Sequence, residues 1–230
     1  MAVSRTTIYR SRRPAWSPRR IGLTVGVGAA VVLATASLHR GSGGGQYRLP
    51  SHASLVGLSL RQRVVAIVKS QVGYRTDPSG SYCNKFSAFW HTGATTCPSG
   101  ERSEEWCADF AAWAWRKAGI HFTYGYGPGE INASAVSFYE WAVVHGTWHP
   151  ATNGFTAAPG DVAVYGLSLH PDPRAVHVAI VTHDAPGRHG PDVVNGDGDH
   201  AGFSVADTRT DQVRADGTRP DSTLAGYAAP

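Results

Sequence analysis

Cys107, His177 and Asn195 follow one another in that order along a chain of 230 residues, with Asp197 two positions further on. Their types suit acyl transfer through a thiol. A thiolate attacks a carbonyl carbon, an imidazolium protonates the departing amine, and a third polar group holds the ring in the right tautomer. Cys107 stands in Trp106-Cys107-Ala108-Asp109-Phe110, His177 in Val176-His177-Val178-Ala179-Ile180-Val181, and the polar pair in Asn195-Gly196-Asp197-Gly198-Asp199. Each feature also has a plainer meaning: a buried cysteine as a small core residue, a lone histidine as a satisfied one, a Gly-Asp run as a turn. Order and combination favour the chemistry. Metal chemistry is disfavoured. The Asn195–Asp199 run resembles a Ca²⁺ loop but lacks the bidentate Glu further on. No HExxH or CxxC occurs, and His170, His177 and His183 have no ligand rhythm, so no metal or cofactor is expected.

Each of these residues needs an element to position it. Ser103 to Gly119 has no internal Gly or Pro and predicts a helix, with Ser103 as N-cap, Glu104 and Glu105 in the first turn, Arg116 and Lys117 in the last, and Gly119 as terminator. Its small-residue stripe Cys107-Ala111-Ala114-Ala118 suits close packing on a sheet. Strand alternation puts His177, Ala179 and Val181 on one face, expected to meet that stripe, and Val193, Asn195 and Asp197 on one face of the next strand. The helix dipole and a neighbouring imidazolium are expected to lower the Cys107 pKa, outweighing burial and the charges of Glu104 and Glu105.

The rest of the chain supplies the frame. A short amphipathic helix is predicted over Leu60–Val72, with Val64, Val65, Ile67 and Val68 inward. Residues 74–100 form a long loop, Phe122–Glu130 an aromatic loop, and Asn132–His145 a second helix closed by Gly146. Strands are predicted at Val162–Tyr165, Val176–Thr182, Val193–Asn195 and Phe203–Asp207. Helices first and an antiparallel meander after them make an α+β fold.

Charge is uneven along the chain. Residues 1–40 hold seven Arg and no acid, leaving 14 Lys and Arg against all 17 Asp and Glu in the remainder. No basic patch survives there, which argues against nucleic-acid binding. The basic stretch Arg5–Arg20 and the uncharged run Ile21–Leu38 read as a signal peptide, with Ala34-Thr35-Ala36 as cleavage signal, or as a retained membrane anchor over residues 1–38. Residues 39–58 are a Gly- and Ser-rich linker, and the domain proper spans 59–230. Either way the domain faces outward, a secreted or envelope-associated protein. Three cysteines in an oxidising compartment suggest one pair, Cys83 with Cys97, and leave Cys107 free.

Trp106-Cys107-Ala108-Asp109-Phe110, Pro159-Gly160-Asp161-Val162, His177-Val178-Ala179-Ile180-Val181 and Asn195-Gly196-Asp197 together resemble the CHAP family of cysteine- and histidine-dependent amidohydrolases and peptidases, within the papain-like group. The resemblance covers about residues 60–227 and is nearest to secreted forms from high-GC Gram-positive bacteria. It implies a Cys-bearing helix packed on an antiparallel sheet that carries the His. It further implies cleavage of peptidoglycan amide bonds by an N-acetylmuramoyl-L-alanine amidase or endopeptidase, acting as a monomer on the cell envelope without a cofactor. Many members have Glu-Gly-Asn where this chain has Asn195-Gly196-Asp197, so either Asn195 or Asp197 is expected to orient His177. A wall-binding scaffold of low activity and a thiol acyltransferase are the alternatives on the same fold.

Overall fold

Ser59 opens the first long helix with a reciprocal cap: its hydroxyl accepts from Gln62 N–H while the Gln62 side chain accepts from Ser59 N–H. That helix, α2 (Leu60–Lys69), follows a single turn α1 (His52–Leu55) and buries Val64, Ile67 and Val68. It ends three residues before Val72, because residues 71–74 pass into successive turns and Gly73 takes a φ of +88°. The computed structural model describes residues 47–78, 81–153, 155–183, 191–200, 203–209 and 223–230. The expected leader or anchor over 1–38 and the start of the linker lie outside the described residues. Among the described residues no helix is long and apolar enough to cross a membrane.

Residues 47–58, expected as linker, belong to the same compact unit as the helices and sheet. Tyr47 donates to Gly73 O, packs edge-on against Tyr74 at 5.8 Å, and receives the Lys85 ammonium on its carbonyl. The span 74–100, expected as pure loop, contains β1 (Cys83–Asn84) and α3 (Lys85–Trp90). Asn84 explains the helix: its side chain accepts from the N–H of both Phe86 and Ser87. β1 pairs with β2 (Arg102–Ser103), and a Cys83–Cys97 disulfide ties the intervening chain. Closing that 14-residue separation stabilises the fold by about 3 kcal/mol on loop-entropy grounds. Reduction is therefore expected to lower the thermal midpoint by several degrees; differential scanning calorimetry with and without reductant reads the difference.

The central helix α4 (Cys107–Ala118) starts three residues later than its sequence predicts. Ser103 is not its cap but belongs to β2, with its hydroxyl on Ser81 O. Cys107 is thus the first helical residue rather than one turn in. Gly119 ends the helix at a φ of +98°, a conformation that glycine adopts without a Cβ penalty. A second helix, α5 (Val136–His145), begins later than Asn132 because Asn132 and Ser134 form a local turn, the Asn132 side chain accepting from Ser134 N–H.

Six strands make the main sheet: β3 (Trp148–Pro150), β4 (Val162–Tyr165), β5 (His177–His183), β6 (Asp192–His200), β7 (Phe203–Arg209) and β8 (Leu224–Ala228). All their pairings are antiparallel, in the order β3-β8-β4-β5-β6-β7, so the fold is α+β. The sheet has two buried faces. Val162, Val164, Val178, Ile180 and Val194 join the helices in one core, with the small stripe Cys107, Ala111, Ala114 and Ala118 among them. Ala163, Tyr165, Ala179, Val181, Val193 and Tyr227 form a second, smaller core on the other face. The strand face that meets α4 is therefore the Val178/Ile180 face, not the His177/Ala179/Val181 face. The larger apolar row wins the larger core.

Candidate active site

His177 opens β5 directly opposite Tyr165 of β4, with the two rings 6.1 Å apart. It is 6 % exposed, and its Nε2 lies 2.9 Å from Asn195 Oδ1. An amide oxygen accepts only, so this contact places the ring proton on Nε2 and leaves Nδ1 as the basic nitrogen of the neutral imidazole. Asn195, itself 2 % exposed, is paired with Ala179 across the β5–β6 ladder. The two side chains meet diagonally on one face of neighbouring strands.

The register of β5 with β6 ends at Ala179–Asn195, where β6 bulges between Asn195 and Gly198. The Asn195–Asp199 run, expected as a turn, is thus an irregular part of a strand. Its irregularity has two effects. Gly196 is pressed against α4 so closely that a Cβ there would come within 2.4 Å of Phe110 Cβ. Asp197, at a φ of 56°, turns its carboxylate to the start of α4, where Oδ2 accepts from Trp106 N–H at 3.0 Å. The cap of α4 is therefore supplied by a residue distant in sequence, and no local side chain caps it.

α4 and β5 meet at Cys107. The N–H groups of Val178 and Ala108 both face its sulfur and favour the thiolate. The sulfur thus lies against the backbone of β5 at Val178, at the positive end of α4, while Tyr165 and Asn195, beside the His177 ring, belong to the Ala179 face of the sheet. Cys107 is the free cysteine among the described residues and is buried. Burial pushes its thiol up to about 12, and the charges of Asp197 and Glu105 push the same way. That overturns the expectation that the helix end would prevail: desolvation outweighs two backbone donors, and the thiol rests protonated. Of the two acids expected beside it, Glu105 is there and Glu104 is not among its main neighbours.

Glu104 turns instead towards Asp109, a wholly buried carboxylate in the first turn of α4. Asp109 also accepts from Thr92 Oγ1 at 3.0 Å and from the Tyr124 hydroxyl. Burial first, and then the Asp109 carboxylate, raise Glu104 to about 7 against the Thr92 and Ser87 hydroxyls. A carboxyl raised in the folded state binds protons more tightly there than in the unfolded chain. Its contribution to stability is thus complete below about 4.5 and is lost as pH rises through about 7. Glu104→Gln removes this dependence, so thermal midpoints of parent and variant are expected to diverge in the variant's favour between pH 5 and 8. The aromatic loop 122–130 is held against the same cluster, with Tyr124 stacked on Trp90 at 4.0 Å. This network escaped sequence reasoning because its members lie in three separate stretches with no shared spacing.

Asp197→Asn separates the two jobs of that side chain. An amide oxygen can still accept from Trp106 N–H, but the charge that opposes the thiolate is gone. The variant is expected to fold as the parent does while its Cys107 titrates at lower pH, followed by thiolate absorbance near 240 nm. Asp197→Ala loses the cap as well, at a cost of about 1 kcal/mol. His183, expected outside a strand, is the exposed last residue of β5 and lies six residues from His177.

Comparison of the chain with known protein families, with curated proteins and with solved structures finds no match.

Proposed function

We propose that the chain is a cysteine amidohydrolase or endopeptidase of the CHAP type, with Cys107 as nucleophile, His177 as base and acid, and Asn195 as the group that orients the ring. Two observations support this: Cys107 opens α4 with its sulfur on the amide of Val178, the chain neighbour of His177, and the His177 ring is held by Asn195 at 2.9 Å. In the reaction, His177 Nδ1 takes the thiol proton as sulfur attacks the carbonyl carbon. The positive end of α4 stabilises the charge that develops on oxygen. The tetrahedral species collapses, the C–N bond breaks, and the amine leaves with the proton from Nδ1. Water, deprotonated at Nδ1, then attacks the thioester carbonyl and releases the acid, restoring the thiol.

The substrate rests on the resemblance of the four motifs: peptidoglycan, reached from the outer side of the membrane. The Cys83–Cys97 disulfide is consistent with an oxidising compartment. The test is digestion of purified cell walls by the parent and by Cys107→Ala, with the released ends identified. New amino termini or free muramoyl ends from the parent alone support the proposal; walls left intact by both remove the substrate. The burial of the thiol favours one competing interpretation, a wall-binding domain with little activity. Sedimentation with cell walls in the absence of turnover distinguishes it.

A further inference from the structure

At the far end of α4 from Cys107, α1, the start of α2 and the close of α4 enclose a cavity of about 310 Å³. Leu55, Val56 and Ala118 form its apolar wall, and two cationic residues, Arg63 and Lys117, line it together with His52, with no carboxylate in the lining. The ion pair found among the described residues is Arg61–Asp161, elsewhere on α2, so neither Arg63 nor Lys117 is neutralised by an acid there. Arg63 spends only its Nε proton on Leu58 O, at 3.0 Å, and that bond fixes the guanidinium while its two terminal nitrogens are left for a ligand. The Lys117 ammonium rides over the Phe89 ring at 4.3 Å, on the exposed side of the helix. Next to these charges Val56 is 66 % exposed and Leu60 47 % exposed.

We propose that this cavity binds a phosphate ester, held by Arg63 and Lys117 with its organic part against Leu55 and Val56. A planar guanidinium fixed at Nε presents its remaining donors to two oxygens of one phosphate, and a lysine beside it adds a point charge. Concave walls of low polarity strengthen both contacts. An apolar wall beside the charges matches a phosphate that carries a hydrocarbon or polyol group better than the bare ion. The site is independent of the cleavage chemistry and does not rest on it.

The experiment is a titration of the full chain with three probes, read by amide chemical shifts at Gly57 and Gly119, which line the cavity. The probes are inorganic phosphate, a short-chain phosphatidylglycerol below its micellar concentration, and the zwitterionic phosphatidylcholine of equal chain length. Local shifts exclude binding by the basic N-terminal residues. Saturable shifts at both glycines with phosphatidylglycerol, at least tenfold tighter than with phosphatidylcholine, are expected. In Lys117→Gln, an exposed position whose change leaves the fold intact, the affinity falls about tenfold; Lys117→Arg restores it. Phosphatidylglycerol binding tighter than inorganic phosphate identifies a lipid headgroup as the source, and equal affinity identifies a soluble phosphate. Absence of saturation at the two glycines, or equal affinity in parent and Lys117→Gln, overturns the proposal.

Discussion

Cys107→Ala and His177→Ala are each expected to lower kcat/KM on peptidoglycan by about a thousandfold or more, and the double variant to be little worse than either. In the proposed mechanism the two side chains act as one unit. Burial, with the Asp197 and Glu105 charges, holds the thiol up at about 12, so it needs a base to ionise. Without His177 almost no nucleophile exists at neutral pH. Without Cys107 the imidazole has no sulfur to serve. Cys107→Ser is expected to be nearly as inactive, since a hydroxyl is a poorer acid than the thiol it replaces. His183→Ala, at the exposed end of the same strand, leaves the rate nearly unchanged. Release of soluble fragments from purified walls measures all of these.

Asn195→Ala is expected to lower kcat by about a hundredfold while changing KM little. Orientation of the ring is felt mainly in the transition state, where imidazolium forms. The 2.9 Å bond from Nε2 to Asn195 Oδ1 selects the tautomer with Nδ1 basic, and its loss lets the ring turn or protonate on the wrong nitrogen. Asn195→Asp provides the matching test: a carboxylate at the same place retains the acceptor and raises the basicity of the ring, shifting the acidic limb of the rate profile upward in pH. Asp197→Ala acts differently, through the start of α4, and shows itself in stability as well as in rate.

Much of the frame could be read in the residues because periodicity reports burial. The alternating valines of Val162–Tyr165 and of the His177 strand gave both strands to within a residue, and Gly119 and Gly146 ended two helices where a left-handed residue is needed. The start of α4 was misplaced because Ser103 has the chemistry of a cap but is committed to β2; the actual cap is Asp197, which local sequence cannot reveal. The edge strand β3 and its neighbour β8 were missed because Pro150 and Gly226 break the expected pattern in segments of three and five residues. At the candidate site, the contact of Asn195 with His177 was one of the two that type and order offered. The division of labour between Asn195 and Asp197 was not legible, because it depends on a bulge that turns two residues of one strand to different targets.

Alkylation of Cys107 by iodoacetamide, followed by mass spectrometry across pH 5–12 in the parent and in His177→Ala, tests the Cys–His pair without requiring a substrate. The disulfide removes Cys83 and Cys97 from the reaction, so the label reports Cys107 alone. The account predicts that the parent is alkylated faster than His177→Ala at neutral pH, as His177 takes the thiol proton. In His177→Ala that advantage is lost and the reaction waits for the thiol itself to ionise at high pH. Identical profiles in the two proteins, both rising only at the thiol's own titration, contradict it.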